Sequence, residues 1–262
     1  MCRLLAYLGS PVSLDHLLYK PEHSLIVQSY QPREMISGVV NADGFGVGWY
    51  HPEKDIEPFT YKNTLPIWND INLPSLSRFV ESKCVVAYAR SATEGQALDF
   101  ANCQPFQHQN LLFFHNGRIE NFRKTLHRKI RSILSPEFYE LINGSTDSEH
   151  IFALLLSLWQ ENQDLTLESA LRKTLLTLLD LAKRDEVDVS ANVIISDGHR
   201  LIASRFAASS PAPSLYWLRD DPIFPKSVII ASEPLFASNW TAFPENSIIT
   251  VGEDCDIQIE KI

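Results

Sequence analysis

The 262-residue chain has no run of about 18 apolar residues, which excludes a transmembrane helix. Its start, Met1-Cys2-Arg3-Leu4-Leu5-Ala6, lacks the long apolar stretch of a secretory signal, so a cytoplasmic location is expected and no membrane partner. Cysteine is scarce. Cys2, Cys84, Cys103 and Cys255 show no C-x-x-C spacing, which argues against a disulfide framework or a zinc knuckle. The eight histidines include no H-E-x-x-H, and His108 and His115 stand apart from other ligand types, so no metal site is expected. A glycine-rich phosphate loop is also missing. The stretch Asn41-Ala42-Asp43-Gly44-Phe45-Gly46-Val47-Gly48 holds three glycines, but no helical pattern follows them. No cofactor is implied. Basic residues number 23 against 32 acidic ones, a net charge of -9, which disfavours nonspecific nucleic-acid binding.

What is present is the balance of a soluble globular protein, 45% hydrophobic and 21% charged. At this length roughly three quarters of the unfolded surface can be buried, so the core needs neither disulfides nor metal. No repeat, low-complexity tract or linker divides the chain, and a single domain over 1–262 is expected. No oligomeric state can be read from the pattern. Strands are expected at Arg3–Leu8, Phe45–Tyr50, Val85–Ala89 and Leu111–Phe114, the first pinning the N-terminus into a sheet. The stretch from Pro52 to Pro74, rich in Pro, Asn and Asp, reads as a surface loop and a lid candidate. Helical spacing of apolar residues marks Ser148–Trp159 and Leu165–Lys183, the second closed by Lys183 and Arg184. A hairpin is expected around Asp197-Gly198, with further strands at Val228–Ala231, Ile248–Val251 and Ile257–Ile259. Strands grouped at both ends with helices between them predict an α+β fold of stacked antiparallel sheets covered by helices.

Four places carry chemistry. Removal of Met1 is expected, because the second residue is small. Cys2 would then carry a free α-amine beside its thiol. That amine has an ordinary pKa near 7.7–8.0, suited to taking the thiol's proton. Read blandly, Cys2 is an ordinary terminal cysteine. Arg90 follows an apolar strand, where a guanidinium can hold a carboxylate bidentately or make a surface ion pair. Asn116-Gly117 reads as a hairpin turn or as two donors aimed at an oxyanion. Asp147, between Thr146 and Glu149, fits a helix capping box or a site for a substrate ammonium.

Taken in order, these residues form one pattern. An N-terminal Cys, R-x-A-T-x-G from Arg90, H-N-G-x-I-E-N from His115 and S-T-D-S-E from Ser145 resemble the class II glutamine amidotransferases, which are N-terminal-nucleophile hydrolases. More narrowly, the segments Met1–Gly9, Pro11-Val12-Ser13, Asn41–Tyr50, Arg90–Thr93 and Ala231–Leu235 look like the stand-alone amidohydrolases of ergothioneine biosynthesis. The resemblance runs from residue 1 to about residue 251. It implies a four-layer αββα sandwich. It also implies roles: Cys2 as nucleophile with its α-amine as base, and Asn116 and Gly117 as oxyanion hole. Arg90, with Thr93 nearby, would bind the α-carboxylate of a γ-glutamyl group, and Asp147 its α-ammonium. Many relatives carry Trp where Ser91 stands and His where Glu94 stands. Those positions help enclose glutamine, so glutamine itself stays open as substrate. At 262 residues no synthase domain is expected, which makes water the acyl acceptor. The implied reaction is hydrolysis of γ-glutamyl-hercynylcysteine sulfoxide to hercynylcysteine sulfoxide and glutamate.

Three other readings stand beside it. One is another γ-glutamyl substrate, such as a glutathione derivative, or ammonia release from glutamine for a separate partner. The second is a non-catalytic binding protein on the same fold, which the presence of Cys2, Arg90, Asn116, Gly117 and Asp147 together argues against. The third is a papain-like pair of Cys103 with His108 or His115, which lacks a helix after Cys103 to lower its pKa.

Overall fold

A computed structural model describes the chain except residues 36, 37, 52–54, 94, 95, 163 and 210 and the side chains of 55 and 56. Its strands are β1 (Arg3–Ser13), β2 (Phe45–His51), β3 (Asp55–Asn63), β4 (Glu81–Ala89), β5 (Phe106–His108), β6 (Leu111–Ile119), β7 (Val189–Ser196), β8 (Leu201–Arg205), β9 (Tyr216–Asp221), β10 (Phe224–Ala231), β11 (Thr241–Ala242), β12 (Ser247–Val251) and β13 (Ile257–Lys261). The α-helices are α1 (Leu14–Leu18), α2 (Leu25–Tyr30), α3 (Leu73–Phe79), α4 (His127–Ile133), α5 (Pro136–Glu140), α6 (Asp147–Gln160) and α7 (Leu167–Asp185).

The strands form two sheets, β11-β9-β10-β1-β4-β2-β3 and β13-β12-β8-β7-β6-β5. Every paired neighbour is antiparallel. Both faces of the central strands are buried, which is why β1 is a continuous apolar run rather than an alternation of polar and apolar. Leu4, Ala6 and Leu8 of β1 meet Leu112 and Phe114 of β6 between the sheets. Leu5 and Tyr7 point the other way, onto Leu14, Leu17 and Leu25 of α1 and α2. On the far side, Phe113, Val193 and Ile195 pack against Phe152, Leu155 and Leu171 of α6 and α7. The order helix, sheet, sheet, helix is the expected four-layer αββα sandwich.

Local signals place these elements. The Thr146 hydroxyl caps α6 by accepting from Glu149 N at 3.3 Å. The Glu149 carboxylate does not complete the box; it accepts from Asn143 N and Gly144 N at 2.9 and 2.7 Å, holding the loop before the helix. Lys183 and Arg184 lie in the last turn of α7, whose end is marked by Glu186 in the left-handed region.

Two expectations fail. The described part of the Pro52–Pro74 stretch is not one loop: β3 occupies much of it, paired with β2, while residues 52–54 lie outside the described residues. The turn beyond β3 is knit by Asp70, which accepts from Tyr61 Oη, Asn63 Nδ2, Asn72 N and Leu73 N. Its Asn and Asp residues therefore serve a fixed turn, and nothing remains of the case for a lid. Nor is Asn116-Gly117 a hairpin turn, because β6 runs straight through it to Ile119.

Candidate active site

Cys2 sits at the start of the central strand of the first sheet. Pairing of Arg3 with Ala89 brings the end of β4, and with it Arg90 and Ser91, alongside Cys2. The Cys2 sulfur lies 2.9 Å from Tyr88 Oη, accepts from Ser91 N at 3.4 Å and is 3.5 Å from Ser91 O. Arg3 Nη1 donates to Cys2 O at 3.1 Å, and Asn41 Nδ2 donates to Met1 O at 2.6 Å. Burial lowers the pKa of the chain's α-ammonium, here on Met1.

Asn116 follows the parity of Leu112 and Phe114 and so faces the layer between the sheets. It is 1% exposed, and neither its Oδ1 nor its Nδ2 has a hydrogen-bond partner among the described residues. A buried amide left unpaired costs about 1–3 kcal/mol. Strand parity also directs the N–H of Gly117 to the same edge of β6 as those of His115 and Ile119. His115 N donates to Gln104 Oε1 at 2.6 Å and Ile119 N to Asp147 Oδ2 at 2.8 Å. Gly117 N–H lies between these two, facing outward from the β7 ladder.

Arg90 is 2% exposed. Among the described residues its guanidinium donates only to neutral oxygens, Asp43 O at 3.1 Å, Gln96 Oε1 at 3.3 Å and Ala97 O at 3.5 Å. Asp147 accepts from Ile119 N and Ser148 N. Neither has a counter-charge within 4 Å among the described residues. A cavity of about 200 Å³ has Thr93, Gln96 and Asp147 in its wall, and Gln96 links that wall to Arg90. Thr93, Asp147 and, through Gln96, Arg90 are therefore gathered at one place.

The papain-like alternative has no geometry behind it. Cys103 Sγ faces Asn63 O and Asp99 O at 3.6 Å, and burial raises its pKa. His115 Nε2 donates to Ser190 O, its Nδ1 meets Ser148 Oγ at 2.8 Å, and burial holds it neutral. His108 packs on Phe138. Tyr88, Asn41 and Glu233 escaped the sequence reading as site residues. Tyr88 is one aromatic in an apolar strand, Asn41 and Glu233 were read only within the segments that carry the resemblance and given no role of their own, and Glu233 lies 231 positions from Cys2, whose carbonyl it reaches through Arg3.

The class II glutamine amidotransferase family model matches residues 1–228, and the chain belongs to that family. It is 34% identical to "Probable glutamine amidotransferase DUG3" of Saccharomyces cerevisiae, over 96% of this chain and 82% of that one. It is 30% identical to "Gamma-glutamyl-hercynylcysteine sulfoxide hydrolase" of Mycolicibacterium smegmatis, over 96% of both chains. Among solved structures, a glutamine aminotransferase class-II domain protein from Silicibacter pomeroyi superposes over 99% of both chains, with a TM-score of 0.71 and 26% identity. Glutamine PRPP amidotransferase of B. subtilis, at 17% identity and TM-score 0.66, matches 99% of this chain and 49% of its own, and shares the fold.

Proposed function

We propose that the chain hydrolyses γ-glutamyl amides with Cys2 as nucleophile once Met1 is removed. The observation that carries this reading is the pair of buried charges, Asp147 in the wall of the Thr93–Gln96 pocket and Arg90 bonded to Gln96 of that wall, each without a counter-charge among the described residues. A buried ion without its partner is strongly destabilising, so such a pair persists where a ligand supplies both partners. A free amino-acid head group, one carboxylate and one ammonium, does so.

The Cys2 thiol attacks the γ-carbonyl carbon and its α-amine takes the thiol proton. Asn116 Nδ2 and Gly117 N–H donate to the oxyanion of the tetrahedral intermediate. The amine then protonates the leaving nitrogen, and the C–N bond breaks to leave a γ-glutamyl thioester. Water hydrolyses the thioester and glutamate departs. Arg90 and Thr93 hold the α-carboxylate and Asp147 the α-ammonium throughout.

The substrate proposed first is γ-glutamyl-hercynylcysteine sulfoxide, supported by the likeness to the mycobacterial hydrolases. The likeness to the yeast protein supports a second reading, in which glutamine or another γ-glutamyl compound such as a glutathione derivative is used with a separate partner. Glutamate release from the sulfoxide, from glutamine and from glutathione, each with Cys2→Ala as control, decides between them. Release from the sulfoxide alone, lost in the variant, supports the first. Release from either of the others supports the second. Release that survives Cys2→Ala, or an active enzyme whose intact mass retains Met1, rejects the mechanism.

A further inference from the structure

We propose that Tyr88 is a further catalytic residue, whose hydroxyl donates a hydrogen bond to the Cys2 sulfur and stabilises it as the thiolate. The proposal rests on the reading of Cys2 as nucleophile.

Tyr88 is opposite Leu4 in the β1–β4 register and opposite Gly46 in the β4–β2 register, and its ring enters the layer between the sheets against Phe114. It is 2% exposed. A buried hydroxyl needs a partner, and the one found for Tyr88 Oη among the described residues is Cys2 Sγ at 2.9 Å. Two donors thus converge on the sulfur, Tyr88 O–H and Ser91 N–H, while Ser91 O is placed to accept the thiol proton. When the proton passes from Sγ to the α-amine, both donors remain and the thiolate keeps them. Tyr88 holds its own proton. Burial, and then the neighbouring Cys2, push its hydroxyl well above the ordinary tyrosine range, so it acts as donor and not as base.

The other charged or titratable groups at this corner are Arg3, Arg118 and Asp43 around the N-terminus and Arg90 and Cys103 around Tyr88. Tyr88 is the side chain that touches the sulfur itself. Hydrogen bonds to charged groups are about twice as strong as neutral ones, so losing this one costs the thiolate about tenfold in its population at neutral pH.

The test reads the thiol directly. Met1-free protein is alkylated with iodoacetamide across a pH series, and the Cys2 peptide is followed by mass spectrometry. In Tyr88→Phe the midpoint is expected about one unit higher, with alkylation at neutral pH slowed about tenfold. Glutamate release should show kcat reduced about tenfold at pH 7, with KM unchanged and the rate partly regained at higher pH. A 3-fluorotyrosine at position 88, which keeps the ring and strengthens the donor, should lower the midpoint. An unmoved midpoint in both variants overturns the proposal. The alkylation profile needs no substrate, so it stands or falls separately from the γ-glutamyl assignment. If Cys2→Ala keeps full turnover, it is the assignment of the nucleophile that fails.

Discussion

Arg3 and Glu233 form an ion pair, Nε to Oε1 at 3.1 Å, closed off from solvent one residue away from Cys2. The pair is a junction. Arg3 Nη1 holds the Cys2 carbonyl, and Glu233 accepts from Arg33 N and Glu34 N at 2.9 Å and lies 2.6 Å from His23 Nε2. One carboxylate therefore ties the start of β1 to His23 and to the backbone at Arg33 and Glu34. Glu233→Ala leaves a buried guanidinium without its anion and is expected to cost about 3–5 kcal/mol, read by urea unfolding. A loss below about 1 kcal/mol would mean that solvent reaches Arg3.

The same carboxylate sets an acid limit. Burial alone would raise its pKa, but His23, the two backbone N–H groups and Arg3 outweigh burial and hold it below the ordinary 4.5. An acid depressed in the folded state stabilises at neutral pH, and that contribution fades as pH falls through its folded pKa. Glu233→Gln should be less stable than the parent at pH 7, and the gap between their melting temperatures should narrow below about pH 4.5. A gap that stays constant down to pH 3 would contradict this.

His150 gives a second, separate pH dependence. Its Nδ1 donates to Thr146 O at 2.7 Å and its Nε2 accepts from Arg131 Nε at 3.0 Å, an arrangement that requires the neutral ring. Burial chiefly lowers its pKa from 6.5 to about 4. The unfolded chain takes up this proton first, so stability drops as pH falls from 6.5 to about 4, by about 3 kcal/mol. His150→Gln should flatten the stability curve across that window, and an unchanged slope would mean that the ring is protonated in the folded state.

The fold was legible where burial on both faces makes a strand a continuous apolar run, as in Leu4–Leu8 and Val85–Ala89. It was legible again where α6 and α7 repeat every three to four residues. Composition misled at Pro52–Pro74, because an edge strand with one solvated face, exposing Glu57 and Phe59, does not look like the buried ones. The charged site residues were readable through motif order. Tyr88 was not, because its importance is a contact across 86 positions and its neighbours in sequence are ordinary core. The outward direction of Gly117 N–H follows from strand parity, which appears once the strand is known to continue to Ile119.

Arg90 and Asp147 are expected to work as a pair in recognising one end of the substrate. Arg90→Lys loses the planar fork that a carboxylate fits, and Asp147→Asn loses the charge that an ammonium needs. Each should lower kcat/KM for a γ-glutamyl amide about 100-fold. A butyryl amide, which lacks both head-group charges, should be poor for the parent and little worse for either variant. Equal losses on both substrates would mean that the two charges serve the fold instead.

Asn116 and Gly117 should part company when changed. A Cβ on Gly117 would fall 2.0 Å from Ser190 O, which is backbone and cannot yield, so Gly117→Ala should lose both turnover and about 1–3 kcal/mol of stability. Asn116 is the informative case. Its amide is buried and unpaired among the described residues, so Asn116→Ala removes an unfavourable group while opening only a small space. Stability should change little or rise, while kcat falls about 100- to 1000-fold through loss of one oxyanion donor. Thermal melting and steady-state glutamate release on the same preparation separate these effects. A variant that melts much earlier would show that the amide has a partner in the folded chain. One that melts later and turns over at the parental rate would remove Asn116 from the oxyanion hole and leave Gly117 as its donor.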